Sequence, residues 1–157
     1  MQLRPLATAA AVLALAVPLT SCGFDYATER DYTPAGGANN RSGDVDILSA
    51  VVVSAAEGSG TFVASLSNNE VDAEQSFTGV SGDEGADVTA ADFDPIPIAP
   101  GGLVNLADPA ADIVLTGDFA AGDFLPLAVD FGNGERVLIE VPVVADDFGY
   151  WEGMDAS

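Results

Sequence analysis

Histidine and lysine are both missing from this 157-residue chain, and cysteine occurs once. Without histidine the chain loses the commonest general base, the side chain that switches charge near neutral pH, and the preferred imidazole metal ligand. A Ser-His-Asp or Cys-His hydrolase cannot be assembled, and neither can a zinc site of the usual nitrogen and sulfur donors. One cysteine excludes an internal disulfide and any paired-thiol redox or metal motif. The only basic residues are Arg4, Arg30, Arg41 and Arg136, set against 25 Asp and Glu for a net charge of −21. Binding phosphate requires clustered Lys and Arg, so nucleic acid is excluded as a partner and anionic headgroups are repelled. Such a surface favours solubility and condenses cations; adaptation to a salty setting explains it most simply.

What is present begins with the cysteine. Arg4 supplies a positive start, residues 6–19 form a short run of Ala, Leu and Val broken by Thr8 and Pro18, and Leu19-Thr20-Ser21-Cys22 follows. The run falls short of the about 20 apolar residues that a membrane span needs, and no stop-transfer charges follow it. The four residues resemble the lipobox of bacterial lipoprotein signal peptides. That resemblance implies cleavage before Cys22 and acylation of its thiol with a diacylglyceryl group and palmitate-type chains. More than one acyl chain anchors a protein stably. The expectation is a lipid-anchored protein on the outer, extracytoplasmic face of the cell membrane, with residues 1–21 removed.

Residues 22–43 read as a flexible tether, with Pro34, Gly36-Gly37, Asn39-Asn40 and Ser42-Gly43 and no hydrophobic period. From Asp44 the pattern turns to period two. Val45, Ile47 and Ser49 alternate into Val51-Val52-Val53, and Glu57-Gly58-Ser59-Gly60 marks a turn. Phe62, Ala64 and Leu66 share one face of a second strand, Asn68-Asn69-Glu70 ends it, and Gln75 to Val80 is a weaker third. The segment Asp94-Pro95-Ile96-Pro97-Ile98-Ala99-Pro100 belongs at an edge or crossing, because proline has no N–H to give a ladder. Short strands are expected at 87–90, 103–106 and 112–119. Leu125, Leu127 and Val129 alternate next, with Pro126 pointing to an edge or bulge. Asn133-Gly134 is a strong hairpin cue, and Val137, Ile139, Val141 and Val143 face inward after it. Short strands between turn signals, with no helical period beyond the leader, indicate an all-β antiparallel β-sandwich over 44–144. Residues 145–157 form an acidic tail whose Phe148, Tyr150 and Trp151 are positioned to lie back on the domain.

Several of these pieces come in a familiar order: Ala64-Ser65-Leu66-Ser67-Asn68-Asn69, Ile98-Ala99-Pro100-Gly101-Gly102, Leu103-Val104-Asn105-Leu106, Gly122-Asp123-Phe124-Leu125-Pro126-Leu127 and Val141-Pro142-Val143. Together they resemble the PCu(A)C copper-chaperone family and the related LpqE-like lipoproteins of actinobacteria, across most of 44–144. The resemblance implies a cupredoxin-like or immunoglobulin-like sandwich. It also implies a His-x-Met copper pair at Asp112-Ile113-Val114, with further His and Met ligands within 80–98. Here Asp112 is a hard oxygen donor, Val114 is no donor, and 80–98 holds neither His nor Met. Cu(I) takes soft sulfur and imidazole donors. The architecture is therefore expected without the copper site, with Asp112 and Val114 not acting as ligands and no cofactor.

The remaining constellations are plain ones. Asp83, Glu84, Asp87, Asp92 and Asp94 make the densest acidic stretch; their spacing departs from the EF-hand pattern, so a solvated loop outweighs a calcium site. Carboxylate pairs that could serve a glycosidase carry no specificity among so many. Asp44 and Asp46 mark a solvent face, while Gly58-Ser59-Gly60 and Gly132-Asn133-Gly134 are turns with no helix to cradle phosphate. The expected function is a non-enzymatic binding or interaction module, anchored through Cys22, with a cell-envelope protein or a cation as candidate partner. The alternative is a residual metal-binding protein that uses carboxylates.

Overall fold

The computed structural model describes residues 36–147 and 149–157. Cys22, the leader, most of the tether and Phe148 lie outside the described residues. Ten strands follow one another: β1 (Ala38–Asn40), β2 (Val45–Ala56), β3 (Ser59–Asn68), β4 (Gln75–Gly82), β5 (Val88–Ala90), β6 (Ile96–Ile98), β7 (Leu103–Asn105), β8 (Ile113–Gly117), β9 (Phe124–Phe131) and β10 (Arg136–Ala145). A single 3-10 turn, Gly149–Trp151, comes after them. The first strand falls inside the stretch read as tether.

The all-β expectation holds, and the two layers join into one ring. Strands β2, β10, β9, β4, β5, β8 and β3 pair in that order, and β3 pairs back to β2. The result is a seven-stranded barrel. Closure satisfies strand edges that a sandwich leaves open. One ladder departs from the antiparallel expectation: β10 runs parallel to β2, with Val143 opposite Val52. Alternating patterns look the same in parallel and antiparallel strands. These two strands are the second and last in the chain, so no tight turn dictates their direction.

The interior follows the alternation. Val137, Ile139, Val141 and Val143 of β10 point inward, as do Leu125, Leu127 and Val129 of β9. Phe77 is wholly buried, with ring centroids 6.2 Å from Phe62 and 6.5 Å from Phe131. Phe93 stacks on it at 5.0 Å and plugs the connection between β5 and β6. A buried phenylalanine stabilises by about 1.5–3 kcal/mol through area alone, so this cluster is a main anchor of the barrel.

Strand β2 breaks its own pattern. Its ladder with β3 pairs Leu48 with Ser65 and then Val51 with Val63, so one extra residue sits on β2. That bulge places Ser49 at φ 52°, with its N–H donating to Asn39 Oδ1 at 3.0 Å. A one-residue insertion reverses which side chains face inward. Before the bulge Val45 and Ile47 enter the core; after it Ala50 and Val52 do. Ser49 is exposed, contrary to the simple alternation read from the sequence. Val51 and Val53 then face outward with Val63, yet Val51 and Val53 are fully buried. Their cover is the C-terminal tail. Trp151 and Met154, with Ala107 and Val144, pack on this second cluster.

Prolines fall where a ladder can spare a donor. In β6, Pro97 lies on a short strand that pairs only with β4, which is the expected edge. Pro126 does not mark an edge: β9 lies between β10 and β4. Its carbonyl accepts the Asp83 N–H at 2.9 Å, just past the end of β4. In an antiparallel strand a residue's N and C=O point to the same side. The missing N–H therefore faces a partner strand that has already ended. The Asn133-Gly134 hairpin forms as expected, with Gly134 at φ 87° and its N–H on the Phe131 carbonyl at 3.0 Å.

Asn68 acts as a clasp and is buried. Its amide donates to the carbonyls of Ala73, Ile98 and Ala99 at 2.8, 3.2 and 3.2 Å, and its Oδ1 accepts from Glu70 N–H at 2.9 Å. The end of β3 is thereby tied to the turn between β6 and β7. The sequence reading had this residue only as a strand breaker.

Candidate functional site

Asp112 and Val114, the positions that the resemblance matches to a copper pair, lie at the start of β8. Ile113 is buried opposite Phe62, and Val114 is half-buried opposite Thr61. Strand alternation puts Val114 on the outer side of β8 beside an inward Ile113, and Asp112 precedes the strand. Asp112 is exposed and holds φ 50°, a left-handed turn that Asp, Asn and His accept more readily than most residues. The Val114 carbonyl accepts the Ala91 N–H at 2.8 Å, which lines the 91–94 segment up beside the start of β8. So the two chain regions that the resemblance assigned to copper do meet in space. What meets there is an aspartate, a valine and alanine backbone.

The acidic residues spread rather than converge. Asp83, Glu84 and Asp87 occupy the β4–β5 loop, and Asp92 and Asp94 flank the anchored Phe93 as exposed residues. Among the described residues no three or more Asp or Glu gather in a way that could hold a metal ion. Asp46 accepts from Asn69 Nδ2 at 2.8 Å, on the solvent side of β2.

The C-terminal tail is better built than the acidic stretch. The Asp155 carboxylate accepts from Ala55 N–H at 2.8 Å, Thr61 Oγ1 at 3.0 Å, Ser157 N–H at 2.9 Å and Ser157 Oγ at 3.0 Å. Asp146 Oδ1 accepts the N–H groups of Met154 and Asp155 at 2.8 and 3.2 Å. Burial pushes the Asp155 carboxyl up, but the hydrogen bonds from Ala55, Ser157 and Thr61 outweigh it and hold it below its ordinary value. Tyr150 meets Trp151 edge-to-face at 5.0 Å and is itself exposed. Gly36 lies flat against the Trp151 ring, where an added Cβ would come within 3.1 Å of it. Trp151 and Met154 thus serve as the cover of the second cluster. The run Val51-Val52-Val53 was the sequence signal for it, since three consecutive buried valines require something on both faces of the strand.

A closed, seven-stranded mixed barrel with these connections has the PCuAC-type cupredoxin-like fold. Among solved structures the chain is similar to the copper-bound PCuAC domain from PmoF2, at 19% identity and a TM-score of 0.54, covering 68% of this chain and 97% of that one. It is likewise similar to the apo PCuAC domain from PmoF1, at 18% identity and a TM-score of 0.53, covering 68% and 98%. The apo PmoF2 PCuAC domain matches at 19% and 0.53 over 71% of this chain and 97% of that one. No protein-family model and no curated protein matches the chain. At these identities the likeness establishes the fold.

Proposed function

We propose that this chain is a lipid-anchored, extracytoplasmic interaction module that uses a copper-chaperone-type fold without carrying copper. The observation behind this is the donor set at the start of β8. Asp112 is hard and exposed, Val114 has no donor atom, and the whole sequence contains no histidine. Copper does not fit these residues, since Cu(I) selects thioether, thiolate and imidazole. Of the remaining sulfur atoms, Met154 is packed on the valine cluster and Cys22 is reserved for acylation by the lipobox reading. A non-enzymatic role is supported by the lack of His, Lys and a spare thiol. Competition against a Cu(I) chelator tests the copper half of this reading.

Anchoring has its own test. Cys22→Ala in the full chain is expected to abolish acylation, so the protein leaves the membrane fraction or accumulates as uncleaved precursor. Mass spectrometry of the cell-associated protein distinguishes these products. Unchanged mass together with unchanged membrane partitioning would contradict the anchor.

A further inference from the structure

The outer face of β9 and β10 carries an apolar strip that the barrel leaves uncovered. Ladder pairing places Phe124 opposite Pro142, Pro126 opposite Glu140, and Ala128 opposite Leu138. Phe124 and Leu138 are 63% and 53% exposed; Val71 and Leu103 are comparably exposed, but on other segments. Beside Leu138 the face dips into a groove of about 320 Å³, lined by Pro126, Leu138, Asp83, Glu84 and Glu140, and by Leu127 and Ile139, whose side chains belong to the core. The groove has fixed walls. Asp83 N–H is bonded to the Pro126 carbonyl at 2.9 Å, and Asn40 Nδ2 to the Leu138 carbonyl at 3.0 Å. Arg136, on the same strand as Leu138, is engaged with Asp130 at 3.3 Å and Ser81 Oγ at 3.3 Å.

We propose that this groove docks a segment of another protein in which an apolar side chain is flanked by Lys or Arg. The inference rests on the interaction-module reading and names its partner class. The lining complements that chemistry: Pro126 and Leu138 take the apolar residue, and Asp83, Glu84 and Glu140 steer and orient the cations. A second copy of this chain is a poor occupant. It has no lysine and a net charge of −21, so two copies repel. Anionic lipid and nucleic acid are disfavoured by the same charge.

The test uses the soluble domain from residue 36 onward and a fluorescent decapeptide with one central leucine between lysines on a Gly-Ser background. Anisotropy is read near physiological salt, where screening acts over about 8 Å and suppresses long-range attraction. Leu138→Ser with Glu140→Gln is expected to weaken binding roughly fivefold or more, as truncation of a central contact does. Both sites are exposed, so the melting temperature should stay unchanged, which separates lost docking from lost folding. Replacing the peptide's leucine by serine should weaken binding similarly. The control pair Asp72→Asn with Glu74→Gln lies in the loop before β4, at the far end of that strand from Asp83. It should have less than half that effect, although it removes more charge. Equal losses in the two pairs would show attraction to net charge alone and overturn the proposal, as would no binding by the unaltered domain. Either failure leaves the copper and anchoring tests untouched, because neither involves the groove.

Discussion

Deleting residues 146–157 is expected to lower the melting temperature of the domain by roughly 10 °C, a loss on the order of 3 kcal/mol. The deletion removes Trp151 and Met154 from the cover over Val51, Val53 and Val63, together with the hydrogen bonds that Asp155 receives from Ala55 and Thr61. Those valines then face water on the outer side of the barrel. Against a typical total stability of about 5–15 kcal/mol this is a large fraction. The pH dependence has a definite sign. Asp155 has a folded-state pKa below its unfolded value, so its contribution is fully present above the ordinary Asp range and is lost as pH falls through the folded pKa. Acid titration below about pH 4 should therefore loosen the tail first, seen as a red shift in the emission of Trp151, the single tryptophan. Asp155→Asn should show the loosened spectrum already at neutral pH. A deletion variant that melts at the original temperature, or Trp151 emission unmoved by acid until the whole barrel unfolds, would contradict this role for the tail.

Placing soft donors at the start of β8 is expected to create copper affinity. Asp112→His with Val114→Met places an imidazole and a thioether two residues apart at the start of β8. Histidine tolerates the φ of 50° that Asp112 holds, so the backbone has no reason to rearrange. The double variant should bind Cu(I) at least about tenfold more tightly than the parent, equivalent to about 1.4 kcal/mol. Each single variant should fall short of it, because one donor does not chelate. An unchanged affinity in the double variant would mean that Asp112 and Val114 do not occupy the copper-pair position.

The strands were legible because they obey simple alternation, although their closure into a barrel was not. Val137, Ile139, Val141 and Val143 face inward as a period of two requires, and the Asn133-Gly134 turn sits where the dipeptide placed it. Two further features that escaped are non-local. The Ser49 bulge changes which residues of β2 point inward, and nothing in a strand's own pattern marks an inserted residue when valines fill both faces. The parallel pairing of β2 with β10 joins strands from opposite ends of the domain, and alternation carries no direction. Pro126 was misleading for a similar reason. An edge is one way to spare a donor, and the end of the neighbouring strand at Gly82 is another. At the candidate site the residue types were readable and their arrangement was not. Asp112 and the 91–94 segment come together through the Val114 carbonyl, whereas the acidic loop, dense in sequence, disperses in space. The groove on β9 and β10 was invisible to the sequence reading, because Leu138 and Phe124 look like ordinary strand residues until the ladder sets them on one exposed face.

One titration tests most directly whether this PCuAC-type barrel carries copper. The purified domain from residue 36 onward is mixed with Cu(I) held by a tight colorimetric chelator, and the chelator's absorbance reports any copper withdrawn. The account predicts that the absorbance stays at its protein-free value through an excess of protein, since the domain offers Met154 as its one soft donor. Withdrawal of one copper per chain, saturating at equal stoichiometry, would contradict it.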